Sequence, residues 1–209
     1  GRAMEIAGRH NRMAGPTLTP LIGREREVEV LMDAWNSVAR GQGQVVVIRG
    51  EAGLGKSRLV RALRERLEDV PRGWIEFACS SMHTNSALYP VIEFLREGLK
   101  LDSEETTPEL ALQRLTQFMQ RAGVSDESQL GLIAPLLGLP LPAGDDAPAL
   151  SPEAQRRRTR EALACWMLEA AKRQPLVLIV EDLHWIDPSS MQLLQTWAER
   201  LTAARILVR

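Results

Sequence analysis

The chain has 209 residues and 44% hydrophobic content, enough for one well-formed α/β domain with or without a helical appendage. It carries 26 Lys and Arg against 27 Asp and Glu, so its net charge of −1 gives no electrostatic attraction to nucleic acid or to an anionic membrane. No apolar run approaches the length of a membrane span, and no signal-peptide pattern opens the chain. We therefore expect a cytoplasmic domain whose two cysteines, Cys79 and Cys165, remain reduced.

The first predicted element is an amphipathic helix that follows residues 1–20. This opening segment is basic, contains Gly and Pro, lacks periodicity and is interpreted as a linker or cloning remnant, which leaves 21–209 as the domain. Apolar residues then recur at helical spacing, namely Val28, Leu31, Trp35 and Val38. The all-apolar, β-branched run 45–48 predicts a central strand buried on both sides. A second helix is expected from about residue 56 to residue 69.

A long helical stretch is predicted between the second and third strands. Residues 74–79 alternate as a strand, and amphipathic helices are expected over 89–99, 108–122, 129–138 and 152–173. The purely apolar run 176–180 is the third strand, followed by a helix over 188–201 with Asp187 as its cap and by a fourth strand at 205–209. Alternating strands and helices predict a parallel sheet covered by helices on both faces, with a helical insertion over about 80–174.

The glycine-rich stretch between the first strand and the second helix fits the phosphate-binding pattern G-x-x-x-x-G-K-[ST]. It reads Gly50, Glu51, Ala52, Gly53, Leu54, Gly55, Lys56 and Ser57. Such a loop wraps phosphate oxygens with backbone N–H groups, and the helix behind it directs its positive N-terminus at them. Lys56 adds a full positive charge and Ser57 offers a hydroxyl to Mg²⁺. The alternative is a chance glycine turn, which the position between a strand and a helix disfavours.

The third strand ends in two acids, Glu181 and Asp182. A buried strand carries such carboxylates to the carboxyl edge of the sheet, where open α/β sheets bind ligands. One acid can hold Mg²⁺, and the other can orient or deprotonate an attacking water. Because strands often end in acids, this pattern indicates a Mg²⁺ and water site only in combination with the glycine-rich loop.

Four stretches together resemble a known family: LIGRERE, GEAGLGKSRL, CSSMHTNSALYPVIEFL and LVLIVEDLHWIDPSSMQLL. They are similar to the AAA-type (STAND-like) P-loop ATPase module of large bacterial regulators. In those proteins the module follows a class III adenylate/guanylate cyclase domain and precedes helical repeats, or belongs to a LuxR-type transcription regulator. The resemblance implies that strand 205–209 lies between the P-loop strand and the acid-bearing strand. It also implies a sensor residue, a last strand, a lid and an arginine finger beyond residue 209, so we expect a C-terminally incomplete core.

The resemblance also implies roles for individual residues. Ile22, Gly23 and Arg24 would help to frame the nucleotide base. By position Glu181 would serve Mg²⁺ and Asp182 the water, whereas the common order is Asp then Glu. Because Asp is one methylene shorter than Glu, slow hydrolysis is expected. Independently of the resemblance, the position of Arg58 directly after the loop has two interpretations, contact with an α- or β-phosphate or a surface ion pair.

Two further features keep alternative interpretations. His184 either senses the γ-phosphate or is a structural turn residue, and the second interpretation is favoured. The arginines at 156–158 and 160 form a solvated helix face or pair with a phosphate or an acidic surface.

These expectations favour an ATP- and Mg²⁺-binding regulatory switch that hydrolyses ATP slowly. The alternatives are a P-loop kinase-type phosphotransferase and a nucleotide-stabilised interaction module without turnover. The expected partners are other domains of a longer parent chain, with self-association through the sheet edge beside 45–48, and neither nucleic acid nor membrane is expected to bind directly.

Overall fold

The computed structural model describes residues 23–126, 128–140, 151–200 and 206–208. Within these residues the strands are β1 Gln44–Val45, β2 Gly73–Ala78, β3 Leu176–Glu181 and β4 Ile206–Val208. The helices are α1 Glu25–Ala39, α2 Lys56–Arg66, α3 Tyr89–Gly98, α4 Pro108–Ala122, α5 Ser128–Ile133, α6 Pro152–Arg173 and α7 Pro188–Arg200. Two short 3₁₀ turns cover Ala134–Leu137 and Leu183–Trp185. The predicted linker 1–20 lies outside the described residues.

The four strands form one parallel sheet in the order β1-β4-β3-β2. β4 pairs with β1 through Leu207 opposite Gln44, and with β3 through Ile206 opposite Leu176. The structure thus places β4 between the strand before the glycine-rich loop and the strand that ends in two acids, as the resemblance implies. This order puts the carboxyl ends of β1 and β3 at the same sheet edge.

Both faces of β3 are buried, as the apolar run 176–180 predicts. Leu176, Leu178 and Val180 face one hydrophobic core, whereas Val177 and Ile179 face the other, and none of the five is more than 4% exposed. Such burial explains why the strand reads as continuous apolar sequence rather than as an alternating pattern.

One helical layer consists of α1 and α2. The predicted apolar stripe of α1 is buried, and it packs with Leu59 and Leu63 of α2 against the sheet. The other layer contains α3, α4, α6 and α7, whose apolar residues share one core with β2 and β3. The helices expected between the second and third strands are therefore present, and they contribute to the main core. None of the described helices combines the length and apolar character needed to cross a membrane.

Local signals explain where these helices begin and end. The Thr107 hydroxyl accepts from the Leu110 amide at the start of α4, and the Ser151 hydroxyl accepts from the Ala154 amide at the start of α6. The predicted helix 129–138 is divided into α5 and the 3₁₀ turn, because Pro135 has no N–H to continue an α-helical ladder. α2 ends at Arg66, three residues before the predicted end.

The prediction of a first strand buried on both sides is wrong. β1 spans only Gln44–Val45, and Val45 and Val47 are 53% and 56% exposed. Val46 and Ile48 pack against the core beneath α1 and α2. The reason is the strand order: β1 is the edge of the described sheet, and the helices of the second layer pack over β2 and β3 instead.

Candidate functional site

The loop that follows β1 adopts the backbone conformation that its glycines allow. Gly53 and Gly55 have φ angles of +83° and +80°, in the left-handed region that other residues rarely enter. A Cβ atom built at either position would meet no atom within 4 Å. The backbone conformation of the loop therefore requires glycine at these two positions, and the space beside them is open to a ligand.

Lys56 lies across this loop. Gly55 is the N-cap of α2, Lys56 is its first residue, and the Lys56 ammonium donates to the carbonyl oxygens of Gly50 at 2.8 Å and Glu51 at 2.9 Å. The first turn of α2 contains no acid, so no carboxylate there offsets the positive end of the helix. The ammonium and the first-turn amides thus place positive charge at one end of α2.

The turn before α1 packs against the same loop. The Arg24 guanidinium donates to the Leu54 carbonyl oxygen at 3.4 Å and forms a 2.7 Å ion pair with Glu27. The hydrogen bond from the Arg24 guanidinium to the Glu27 carboxylate is the main reason why the pKa of the Glu27 carboxyl is lowered. The Gly23 amide donates to the Glu25 carboxylate at 3.2 Å. The structure thus brings Gly23 and Arg24 to the loop, whereas Ile22 lies outside the described residues.

The two acids stand at the carboxyl end of β3. Glu181 is the last residue of the strand and is half-buried, whereas Asp182 is exposed and has a left-handed φ of +54°. Asp tolerates this conformation better than most residues do. One strand separates β3 from β1, so these two strands lie about 10 Å apart across the sheet at ordinary strand spacing. The acids and the loop therefore share one edge of the sheet.

Asp187 connects this acidic segment to two helices. Its carboxylate is 1% exposed, and Oδ1 accepts from the amides of Ser189, Ser190 and Leu88, each at 3.0 Å. The capping role predicted for Asp187 on α7 is confirmed. The bond to Leu88, at the start of α3 and 99 residues away, was not predicted, because no local sequence pattern reports such a contact. Oδ2 is buried without a hydrogen-bond partner in the described part of the chain.

Comparison with known protein families identifies the family of the chain. The AAA ATPase domain family matches residues 20–208. The chain belongs to this family. It is also 34% identical, over 201 residues, to an uncharacterized protein of Rhizobium meliloti (strain 1021). The match covers 95% of this chain but 18% of that relative, and no solved structure matches the chain significantly.

The residues of this AAA ATPase domain fit a nucleotide with Mg²⁺, which the family implies. The open loop and Lys56 suit phosphate oxygens, and Ser57, the second residue of α2, is exposed. Ser57, Glu181 and Asp182 offer oxygen atoms, the ligands that Mg²⁺ prefers. No group of three or more His, Cys, Asp or Glu residues suited to a metal exists in the described ranges. A Mg²⁺ ion here would therefore need phosphate oxygens as well as protein ligands.

The pKa of the Cys79 thiol reflects its burial and the negative charge of the acidic residues that follow β3. Its amide donates to the Glu181 carbonyl oxygen at 3.1 Å, directly after β2. Burial, followed by the negative charges of Asp187 and Asp182, raises the pKa of the Cys79 thiol to about 12. The thiol therefore stays protonated near neutral pH, which lowers its reactivity.

The remaining predicted site residues lie near the same edge. Arg58 is half-buried in the first turn of α2. His184 is exposed in the 3₁₀ turn after Asp182, where its ring lies 4.8 Å from that of Trp185.

Proposed function

We propose that this AAA ATPase domain is an ATP-binding nucleotide switch that hydrolyses ATP slowly, within a larger bacterial signalling or transcription-regulating protein. The observation that carries the proposal is the P-loop at residues 50–57, with Lys56 across it and two acids at the same sheet edge. The chain spans 18% of the length of the Rhizobium relative, so the activity of any whole protein is part of the proposal.

Binding would use contacts that are already arranged. The Lys56 ammonium would exchange the carbonyl oxygens of Gly50 and Glu51 for the β- and γ-phosphates, and the first-turn amides of α2 would hold further phosphate oxygens. Ser57 and Glu181 would hold Mg²⁺, which neutralises charge on the phosphates when bound. Ile22, Gly23 and Arg24 would border the base.

Hydrolysis would depend on Asp182 as the residue that accepts a proton from the attacking water. Asp182 is exposed and has a short side chain, and the described residues include no arginine assigned to the γ-phosphate. An arginine finger contributes roughly 10³–10⁵-fold to phosphoryl-transfer rates. Slow turnover, and hence a long-lived ATP-bound state, follows from these properties.

Thermal unfolding with Mg²⁺ and ATP tests the proposal. At about 100 times Kd a ligand specific to the native state adds about 2.7 kcal/mol of stability. For a domain of this size that corresponds to a rise in Tm of about 5–10 °C. Lys56→Ala should remove most of the rise, because the phosphates lose their charged partner.

Lys172→Ala is the matched control, since Lys172 is a surface lysine paired with Glu169 at 2.5 Å. It should keep the full nucleotide-dependent rise. An unchanged Tm of the parent chain at millimolar Mg²⁺ and ATP, or an equal rise in Lys56→Ala, would contradict the proposal.

The proposed setting follows from the resemblance to cyclase-associated and LuxR-type regulators. The partners would be the cyclase or DNA-binding output domain and the helical repeats of a cytoplasmic parent chain. The exposed Val45 and Val47 at the edge strand favour self-association as well, which sedimentation velocity at rising concentration checks. A kinase-type phosphotransferase would need an acceptor molecule, so phosphate release in the absence of an acceptor would distinguish an ATPase from it. An interaction module without turnover would release no phosphate.

A further inference from the structure

A cleft lies in the helical layer opposite α1 and α2. It has a volume of about 520 Å³, within the range of small-molecule sites. Its apolar lining includes Leu132 of α5 and Pro135 and Leu136 of the 3₁₀ turn Ala134–Leu137. Its polar lining includes Arg156 and Arg160 of α6 and Gln192 of α7. None of the residues of the P-loop lines it, so this cleft is distinct from the nucleotide site.

The charge of the cleft is positive. Arg156 and Arg160 are four residues apart on α6, so they project from the same side of the helix and repel one another. Arg160 donates to the Gln192 side-chain oxygen, and Arg156 makes no ion pair with any described residue. None of the described residues that line the cleft is acidic. An anion between the two guanidinium groups would relieve their repulsion and would accept paired hydrogen bonds.

A buried carboxylate fixes the backbone of two residues that line the cleft. Leu88 and Ser189 both line the cleft, and the amides of both donate to Oδ1 of Asp187 at 3.0 Å. Thr159, another lining residue, is 5% exposed and fixed within α6. Three helices therefore meet the cleft with a fixed backbone, and a ligand would have little protein to order on binding.

We propose that this cleft binds a small organic anion that consists of an apolar body and one acidic group. The apolar body would lie against Leu132, Pro135 and Leu136, and the acidic group would lie between Arg156 and Arg160. Carboxylate and sulfonate groups share the planar or threefold oxygen arrangement that guanidinium groups recognise. The site needs no nucleotide, so its test is independent of ATP binding.

Fluorescence titration with 8-anilinonaphthalene-1-sulfonate, which has an apolar body and one sulfonate, tests the proposal. The folded parent chain should bind one equivalent saturably, with its near-ultraviolet circular dichroism unchanged. In displacement, 1-naphthoate should be at least tenfold more effective than 1-naphthol, which has the same ring system without the charge. The double variant Arg156→Ala/Arg160→Ala should raise the Kd of the probe at least tenfold.

The matched control is Arg157→Ala/Arg158→Ala, which removes two exposed arginines of the same helix that do not line the cleft. It should leave the Kd unchanged. Unsaturable binding, equal displacement by 1-naphthol, or equal weakening by the control variant would overturn the proposal. If the double variant unfolds, the single variant Arg156→Glu at an exposed position decides the question by the same titration, and an unchanged Kd there would also overturn it.

Discussion

Replacement of Asp187 by Ala should destabilise the domain through three backbone amides. Oδ1 of Asp187 accepts from Leu88, Ser189 and Ser190, and the residues Leu88 and Ser190 are 7% and 2% exposed. A buried donor left without a partner costs about 1–3 kcal/mol, and loss of a helix cap costs about 1 kcal/mol. Removal of a buried carboxylate returns part of its desolvation cost, since Oδ2 has no partner among the described residues. We expect a net loss of about 2–4 kcal/mol, a large part of the stability of an ordinary domain.

Asp187→Asn separates the geometry of the acceptor from its charge. The Asn oxygen can accept from the same three amides, so this variant should lose no more than about 1.5 kcal/mol. Asp126→Ala is a second control, because Asp126 is exposed and its Oδ1 accepts from the Ser128 amide at 3.0 Å. It should lose about 0.5–1 kcal/mol, as an exposed cap does.

Urea denaturation at pH 7 measures these differences, provided that the m-value is the same in all variants. Amide hydrogen exchange at Leu88 should also accelerate in Asp187→Ala, although Leu88 is 99 residues away in sequence. The reasoning fails if Asp187→Ala costs no more than Asp126→Ala. It also fails if Asp187→Asn is as damaging as the Ala variant, since charge rather than the shared acceptor would then hold the three segments.

Two further predictions concern turnover and thiol chemistry. A steady-state phosphate-release assay should give a turnover rate well below about 1 s⁻¹ for the parent chain. Asp182→Asn should abolish this turnover without loss of nucleotide binding. Glu181→Gln should instead weaken the Mg²⁺ dependence of nucleotide binding. Brisk turnover by the parent, or unchanged turnover in Asp182→Asn, would contradict these roles. With a pKa of about 12, Cys79 is thiolate in roughly one molecule in ten thousand at pH 8, so a thiol reagent should label only the half-buried Cys165 in the folded chain. Rapid labelling of both before unfolding in urea would show that Cys79 is accessible and ionisable.

Sequence alone determined the elements whose signals are local. The bounds of α4 and α6 agree with prediction because proline, a capping hydroxyl and apolar periodicity act within a few residues of one another. The phosphate-binding loop was predictable for the same reason, since its glycines and Lys56 belong to one continuous segment whose backbone conformation they determine. The apolar run 176–180 also forms a buried strand, as predicted.

Only the tertiary structure decided which segments meet. The run 45–48 resembles β3 in composition, yet Val45 and Val47 are exposed, because burial depends on a strand's neighbours rather than on its own residues. The bond from Leu88 to Asp187 and the cleft beside Arg156 likewise join segments that are far apart in the chain. Hydrophobic pattern and capping residues specify conformation within one element, whereas contacts between elements follow from the packing of the whole core.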